Sequence, residues 1–276
     1  MTSIPTSIPA ETASVSALRF DASLRALWKE SDEGWVLDMP SGWMQGRSVY
    51  GGLVAAVAGG LARLHIEEER TLRLSQMQLM RPLVPGPVVG RVNVQREGKY
   101  ASFVSVELVQ DSQVATTASY VFARPRPGST PVAADPAWAG PDPETLRDLP
   151  YIPGVMPEFV KNVQMRWASG ALPYSQTEPC NFRAYCAFRS PSGGLEGVLG
   201  LLDIFPAPSL AKLSGPVPAS TVAWTAHILN PPDRIEGWCR FEYETVLGVG
   251  GMHTVVGRLH AEDGTLLGWT EQLVAV

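Results

Sequence analysis

The sequence predicts an α+β protein built from two tandem copies of one small domain, each an antiparallel sheet wrapped around a long apolar helix. Three observations carry this reading. First, one strand pattern occurs twice. Residues 72–83 (LRLSQMQLMRPL) precede strand-like runs at 88–95, 101–110 and 114–123. Residues 220–232 (STVAWTAHILNPP) precede runs at 238–247, 254–261 and 266–276. Second, Arg81-Pro82 and Asn230-Pro231 occupy equivalent places, 149 positions apart (230 − 81), and the last strands align at Ser119 and Gln272, 153 apart (272 − 119). Third, a long apolar helix candidate stands before each strand run. Neither copy alone closes its sheet, so the two are expected to pair edge to edge and hide an exposed strand.

The elements follow in order. Residues 1–16 are rich in Ser, Thr and Pro and read as a loose terminus. Val36-Leu37 is a short strand, and residues 40–48 form a loop carrying Trp43. Tyr50-Gly51-Gly52 opens a buried helix over 53–66 (LVAAVAGGLARLHI), small and apolar on nearly every face. Val104, Val106 and Leu108 alternate with Ser105, Glu107 and Val109, the period of a strand. Gly98-Lys99 marks a turn. Residues 124–157 are too dense in proline for a central strand or a long helix. They read as a semi-extended connector, which divides the chain into an N-terminal domain (1–124), a linker (125–157) and a C-terminal domain (158–276). A strand at 182–189, a loop at 190–194 and a second apolar helix at 195–213, interrupted at Pro206 and Pro208, complete the second copy before its strand run.

Composition narrows the function. The 276 residues are 45% hydrophobic and 18% charged, ample for a core, and the net charge of −5 argues against general nucleic-acid binding. Cys180, Cys186 and Cys239 are odd in number and lack CxxC spacing, so they read as reduced thiols of a cytoplasmic protein. The first twenty residues have neither the basic nor the apolar region of a secretory signal. No apolar run approaches the ~20 residues of a membrane span.

With these stretches in view, the chain resembles the double-hotdog acyl-CoA thioesterases of the type II (TesB-like) group. The matching segments are residues 46–56 (GRSVYGGLVAA), Met80-Arg81-Pro82, Leu202-Asp203, Ser220-Thr221-Val222 through Asn230-Pro231, and Thr270-Glu271-Gln272. The resemblance spans most of the chain, from Phe20 onward. It implies two hotdog domains, hydrolysis of an acyl-CoA thioester in lipid metabolism, no cofactor, no metal, and a homo-oligomer assembled through the sheets. It also implies an Asp–Thr–Gln set in the second hotdog, falling on Asp203, Thr221 and Gln272. The family strand often carries an acid two residues after the threonine; here that position is Ala223.

The residues suit that chemistry. Thioester hydrolysis needs a base to orient and deprotonate water and a means of stabilising the oxyanion. Asp203 is the only acid within the apolar run 198–205, where a carboxylate is costly without a purpose; the structural alternative is a cap before Pro206. Gln272 offers a neutral amide on a strand face opposite Leu273 and Ala275, and is otherwise an ordinary strand glutamine. Thr221 offers a hydroxyl, though strand threonines are common. In the first copy Gln272 aligns with Ser119, Thr221 with Leu72, and Asp203 with Gly51-Gly52, so one active site per chain is expected. Gly51 and Gly52 at a helix start would present amides to a thioester carbonyl, or simply allow tight packing. Trp43 is a candidate for acyl contact or core, and Arg81 for the coenzyme A phosphates, as are Arg183 and Arg189.

Other chemistries fail. His65, His227, His253 and His260 form no metal motif, there is no GxSxG elbow, and Gly248–Gly251 reads as a hairpin turn. Two alternatives stay open: a hotdog that binds acyl groups or serves assembly without catalysis, which Ala223 favours, and an enoyl-CoA hydratase, which wants a His five residues after the Asp, where Pro208 stands.

Overall fold

The computed structural model describes residues 18–130 and 132–276, so the expected loose terminus at 1–16 lies outside the described residues. The first half runs β1 (Lys29–Ser31), β2 (Gly34–Met39), β3 (Met44–Gln45), β4 (Ser48–Val49), α1 (Gly51–Arg63), β5 (Thr71–Leu79), β6 (Gly86–Glu97), β7 (Ala101–Gln110) and β8 (Gln113–Ala123). The second runs β9 (Val163–Gly170), β10 (Asn181–Phe188), α2 (Gly194–Leu202), β11 (Ser220–Ile228), β12 (Cys239–Val249), β13 (Met252–His260) and β14 (Leu266–Ala275). Each half therefore has strands before its helix, four in the first and two in the second, and four after it, of which the last three form a meander and the first pairs beside the final one. The segment expected to be a bare loop at 40–48 contains the small β3–β4 hairpin.

The two halves share one antiparallel sheet. Its order is β1-β2-β6-β7-β8-β5-β11-β14-β13-β12-β10-β9, and β5 pairs with β11 from Gln78↔Ala223 to Leu74↔His227. Joining at these strands removes two long edges and leaves the three-residue β1 and β9 outermost. Both helices pack on one face of the sheet and against each other. Every residue of α1 from Gly51 to Ala62 is buried. Close approach of the helices depends on small residues: a Cβ added at Gly59 would lie 2.9 Å from the Leu199 side chain.

The second helix is shorter than the sequence suggested. It ends at Leu202, and a separate 3-10 turn follows at Pro208–Lys212. Pro206 and Pro208 supply no amide hydrogen for continuing the ladder, so the chain leaves the helix before them. Asp203, at φ −114° and ψ 11°, is the residue on which α2 stops.

The repeat reaches the level of backbone irregularities. Pairing of β5 with β8 slips between Leu72 and Leu74, and pairing of β11 with β14 slips between Thr221 and Ala223. The extra residues, Arg73 and Val222, are 149 positions apart (222 − 73). This register corrects two alignments. Gln272 stands opposite Trp224, whose counterpart Ser75 stands opposite Tyr120, so the mirror of Gln272 is Tyr120 rather than Ser119. Asp203 lies at the end of α2 whereas Gly51-Gly52 begin α1, so they are not equivalent. They meet instead where the start of α1 faces the end of α2.

The proline-rich segment is pinned to the second half. Arg166 on β9 pairs with Glu144 at 3.1 Å and Asp148 at 2.6 Å. Trp238 donates its indole N–H to Glu144 at 2.8 Å, and the Arg166 guanidinium lies 4.3 Å from the Trp238 ring.

Candidate active site

Two acids are buried among the described residues, and they are treated differently. Glu196 in the first turn of α2 is fully buried and paired with Arg25 at 2.6 Å. Asp203 is 9% exposed and has no ion-pair partner among the described residues. Its Oδ1 accepts a 3.0 Å hydrogen bond from Nε2 of Gln272, whose Oε1 accepts from the Thr221 hydroxyl at 2.8 Å. The Gly52 amide donates to the same carboxyl group. Thus α2, β11, β14 and the start of α1 each contribute one member to a single chain of hydrogen bonds.

Local geometry explains why these residues meet. Trp224 and Gln272 are buried neighbours on the helix side of the sheet. Thr221 lies three residues before Trp224, which in a regular strand would turn it to the other face. The bulge at Val222 reverses that alternation, so the hydroxyl reaches Gln272. The Thr221 hydroxyl has only one role toward Oε1, that of donor, and this orients the amide with its N–H toward Asp203.

Burial pushes the Asp203 carboxyl up to about 7, although the N–H donors of Gln272 and Gly52 pull it the other way. A carboxyl poised there exchanges a proton near neutral pH, the property required of a general base. Gly51 leaves the space in front of it open: a Cβ at that position would sit 2.6 Å from Oδ2.

That space is a cavity of about 260 Å³, with walls from Val49, Val54, Leu79 and Leu83 and with Asp203 and Thr221 at one side. Arg47 and Arg81 also line it, both exposed. One guanidinium N–H of Arg81 is used on the Val114 carbonyl at 2.9 Å. A larger depression of about 660 Å³ lies against Gln76, Gln78 and Thr225 and contains none of the hydrogen-bonded set. The buried carboxyl without an ion-pair partner, Asp203, lines the smaller one and not the larger.

The other expected residues separate. Trp43 is buried in an aromatic cluster with Phe20, Phe188 and Tyr50 and does not line the cavity, so it is core rather than acyl contact. The Gly52 amide is directed at the Asp203 carboxyl and lowers its pKa. Arg183 faces Glu242 at 3.8 Å on another part of the sheet. Ala223 pairs with Leu273, outside the cavity's lining, so an acid there would not face Asp203. Arg47 carried no expectation of its own; it sits inside the matching segment 46–56, and only folding shows that it shares a cavity with Arg81.

Comparison with known proteins decides the family. Residues 39–123 match the model of the acyl-CoA thioesterase N-terminal domain, and residues 131–276 that of the acyl-CoA thioesterase C-terminal domain. The chain belongs to the acyl-CoA thioesterase family. No curated relative matches it by sequence. Among solved structures, a hot dog fold protein of unknown function from Alicyclobacillus acidocaldarius superposes with a TM-score of 0.82 at 19% identity, covering 93% of this chain and 97% of that one. An acyl-CoA thioesterase II, TesB2, from Mycobacterium marinum gives 0.73 at 14% identity, covering 92% and 97%. A tesB protein from Mycobacterium avium subspecies paratuberculosis gives 0.73 at 15%, covering 92% and 98%. At such identities the likeness speaks for the fold: this acyl-CoA thioesterase family member is a double hotdog. No helix among its described residues is long and apolar enough to cross a membrane.

Proposed function

We propose that this thioesterase-family chain hydrolyses an acyl-CoA thioester to a carboxylic acid and free coenzyme A, using a water activated by Asp203. The observation that carries the reading is the 3.0 Å bond between Gln272 and a buried carboxyl poised near neutrality at the mouth of a cavity. Asp203 takes a proton from water as that water attacks the thioester carbonyl; the C–S bond breaks and the proton passes to the departing thiolate. Gln272 holds the carboxylate, and Thr221 holds Gln272. Gly51 keeps the approach to Oδ2 open. The start of α1, with its positive dipole end, favours the negative charge that develops beside it. Arg81 and Arg47 offer cations to the phosphates of coenzyme A. The whole site is assembled in one chain, and the free cysteines suit a reducing cytoplasm. A homo-oligomer formed through the sheets accords with the family.

The test is release of free thiol from a panel of acyl-CoAs, short, long and aromatic. Turnover of any member supports hydrolysis and names its chain-length class. Tight binding of the same compounds with no thiol released would instead favour an acyl-binding protein without catalysis.

A further inference from the structure

Tyr50 precedes α1 and is fully buried, yet its hydroxyl donates to the carbonyl of Gly200 in the last turn of α2. That carbonyl also receives the Asp203 amide, at 3.4 Å. The phenol reaches α2 by lying across Gly52, where an added Cβ would come within 2.5 Å of the ring. Its plane is fixed from the other side by Phe159, stacked at 4.1 Å between centroids. Gly52, the residue under the ring, is the one whose amide holds the Asp203 carboxyl. Tyr50 therefore ties together the two backbone segments, the start of α1 and the end of α2, between which Asp203 is held. It does not line the cavity and cannot touch a substrate.

We propose that Tyr50 is a positioning residue for the reaction: by occupying the Gly200 carbonyl it ends α2 in the geometry that turns Asp203 toward Gln272 and the Gly52 amide. Without the hydroxyl, Gly200 is free to draw the last turn into a regular helix, and the carboxyl swings from its two donors. The inference rests on Asp203 being the general base, but its geometry is measurable without turnover. The other titratable groups around this carboxyl are the Tyr243 phenol on β12 and the Arg47 and Arg81 guanidinia in the cavity, with the Cys186 thiol of β10 beside Tyr50. None of them is altered by removing one oxygen from Tyr50.

The experiment compares wild type, Tyr50→Phe and Phe159→Leu. Two readouts are followed with pH: the ¹³C resonance of the Asp203 carboxyl, and kcat/KM for the best thioester. Losing donors to the charged form raises a carboxyl's midpoint. In Tyr50→Phe both midpoints are expected to move up together by roughly half a unit or more. kcat is expected to fall about tenfold with KM nearly unchanged. Phe159→Leu disturbs the packing but keeps the hydroxyl, and leaves the midpoint in place. A folded Tyr50→Phe protein with an unmoved carboxyl titration overturns the proposal. If that variant does not fold, 4-fluorophenylalanine at position 50 preserves the shape while removing the donor, and an unmoved titration there is equally fatal. Absence of thiol release in wild type would count against the thioesterase reading, and the carboxyl titration would still decide the role of Tyr50.

Discussion

Thr221 and Gln272, on neighbouring strands, are joined by a 2.8 Å hydrogen bond that exists because Val222 is an extra residue in its strand. The bulge turns the hydroxyl to the helix side, and Gln272 passes the constraint on to Asp203 at 3.0 Å. Replacing Thr221 by Val keeps the shape and removes the donor. One lost hydrogen bond of about 1–1.5 kcal/mol corresponds to roughly a tenfold fall in kcat. Steady-state kinetics on the best acyl-CoA check it; a rate equal to wild type would remove Thr221 from the mechanism.

Activity should depend on the ionised form of Asp203. Its carboxyl titrates near 7 in the folded protein, so kcat/KM should rise with pH, pass half-maximum near 7 and level off above it. A profile still flat down to pH 5 would mean that the group is not the base.

The same shift has a stability consequence of opposite sense. The folded value of about 7 lies above the unfolded value near 3.8, so the native state holds this proton more tightly than the unfolded chain. The penalty for burying the charge is absent below about pH 4, grows between 4 and 7, and is complete above 7. Asp203→Asn removes it. The variant should gain ~1–3 kcal/mol over wild type at pH 8 and little at pH 4.5, a difference that denaturant titrations at the two pH values resolve.

Gly51→Ala should be folded and nearly inactive. The added methyl would come 2.6 Å from Oδ2 of Asp203, so the carboxyl must move. A loss of about 100-fold in kcat/KM is expected, in line with misplacing a reacting group by about 1 Å. Circular dichroism separates this from unfolding.

Across the helix pair, the start of α2 holds the buried Glu196–Arg25 pair. Arg25→Ala strands a fully buried carboxylate and should cost ~3–5 kcal/mol, whereas Arg25→Met with Glu196→Leu should restore most of it. Thermal melts of the three proteins test this.

Much of this was legible in the sequence. The duplicated strand run yields the two-copy sheet, and the lone acid in an apolar run marks Asp203. The resemblance supplied Thr221 and Gln272 as its partners. What periodicity hid were the backbone departures. The bulge that turns Thr221 inward has no residue-type signature, and the few residues of length difference between the copies can be placed in more than one way, so Gln272 aligned with Ser119 when its mirror is Tyr120. Trp43 lies in the core because Phe20 and Phe188, far away in sequence, close around it. Tyr50 carries no signal of its own, since its partner is a backbone carbonyl 150 residues distant.

The most direct test of the account compares thiol release by wild type and Asp203→Asn on the best acyl-CoA, with binding of the same compound measured in parallel. Removing a general base is expected to lower kcat by roughly 10²–10⁴ while the dissociation constant stays within a few-fold. An Asn variant that turns over at a rate close to wild type would contradict the central claim.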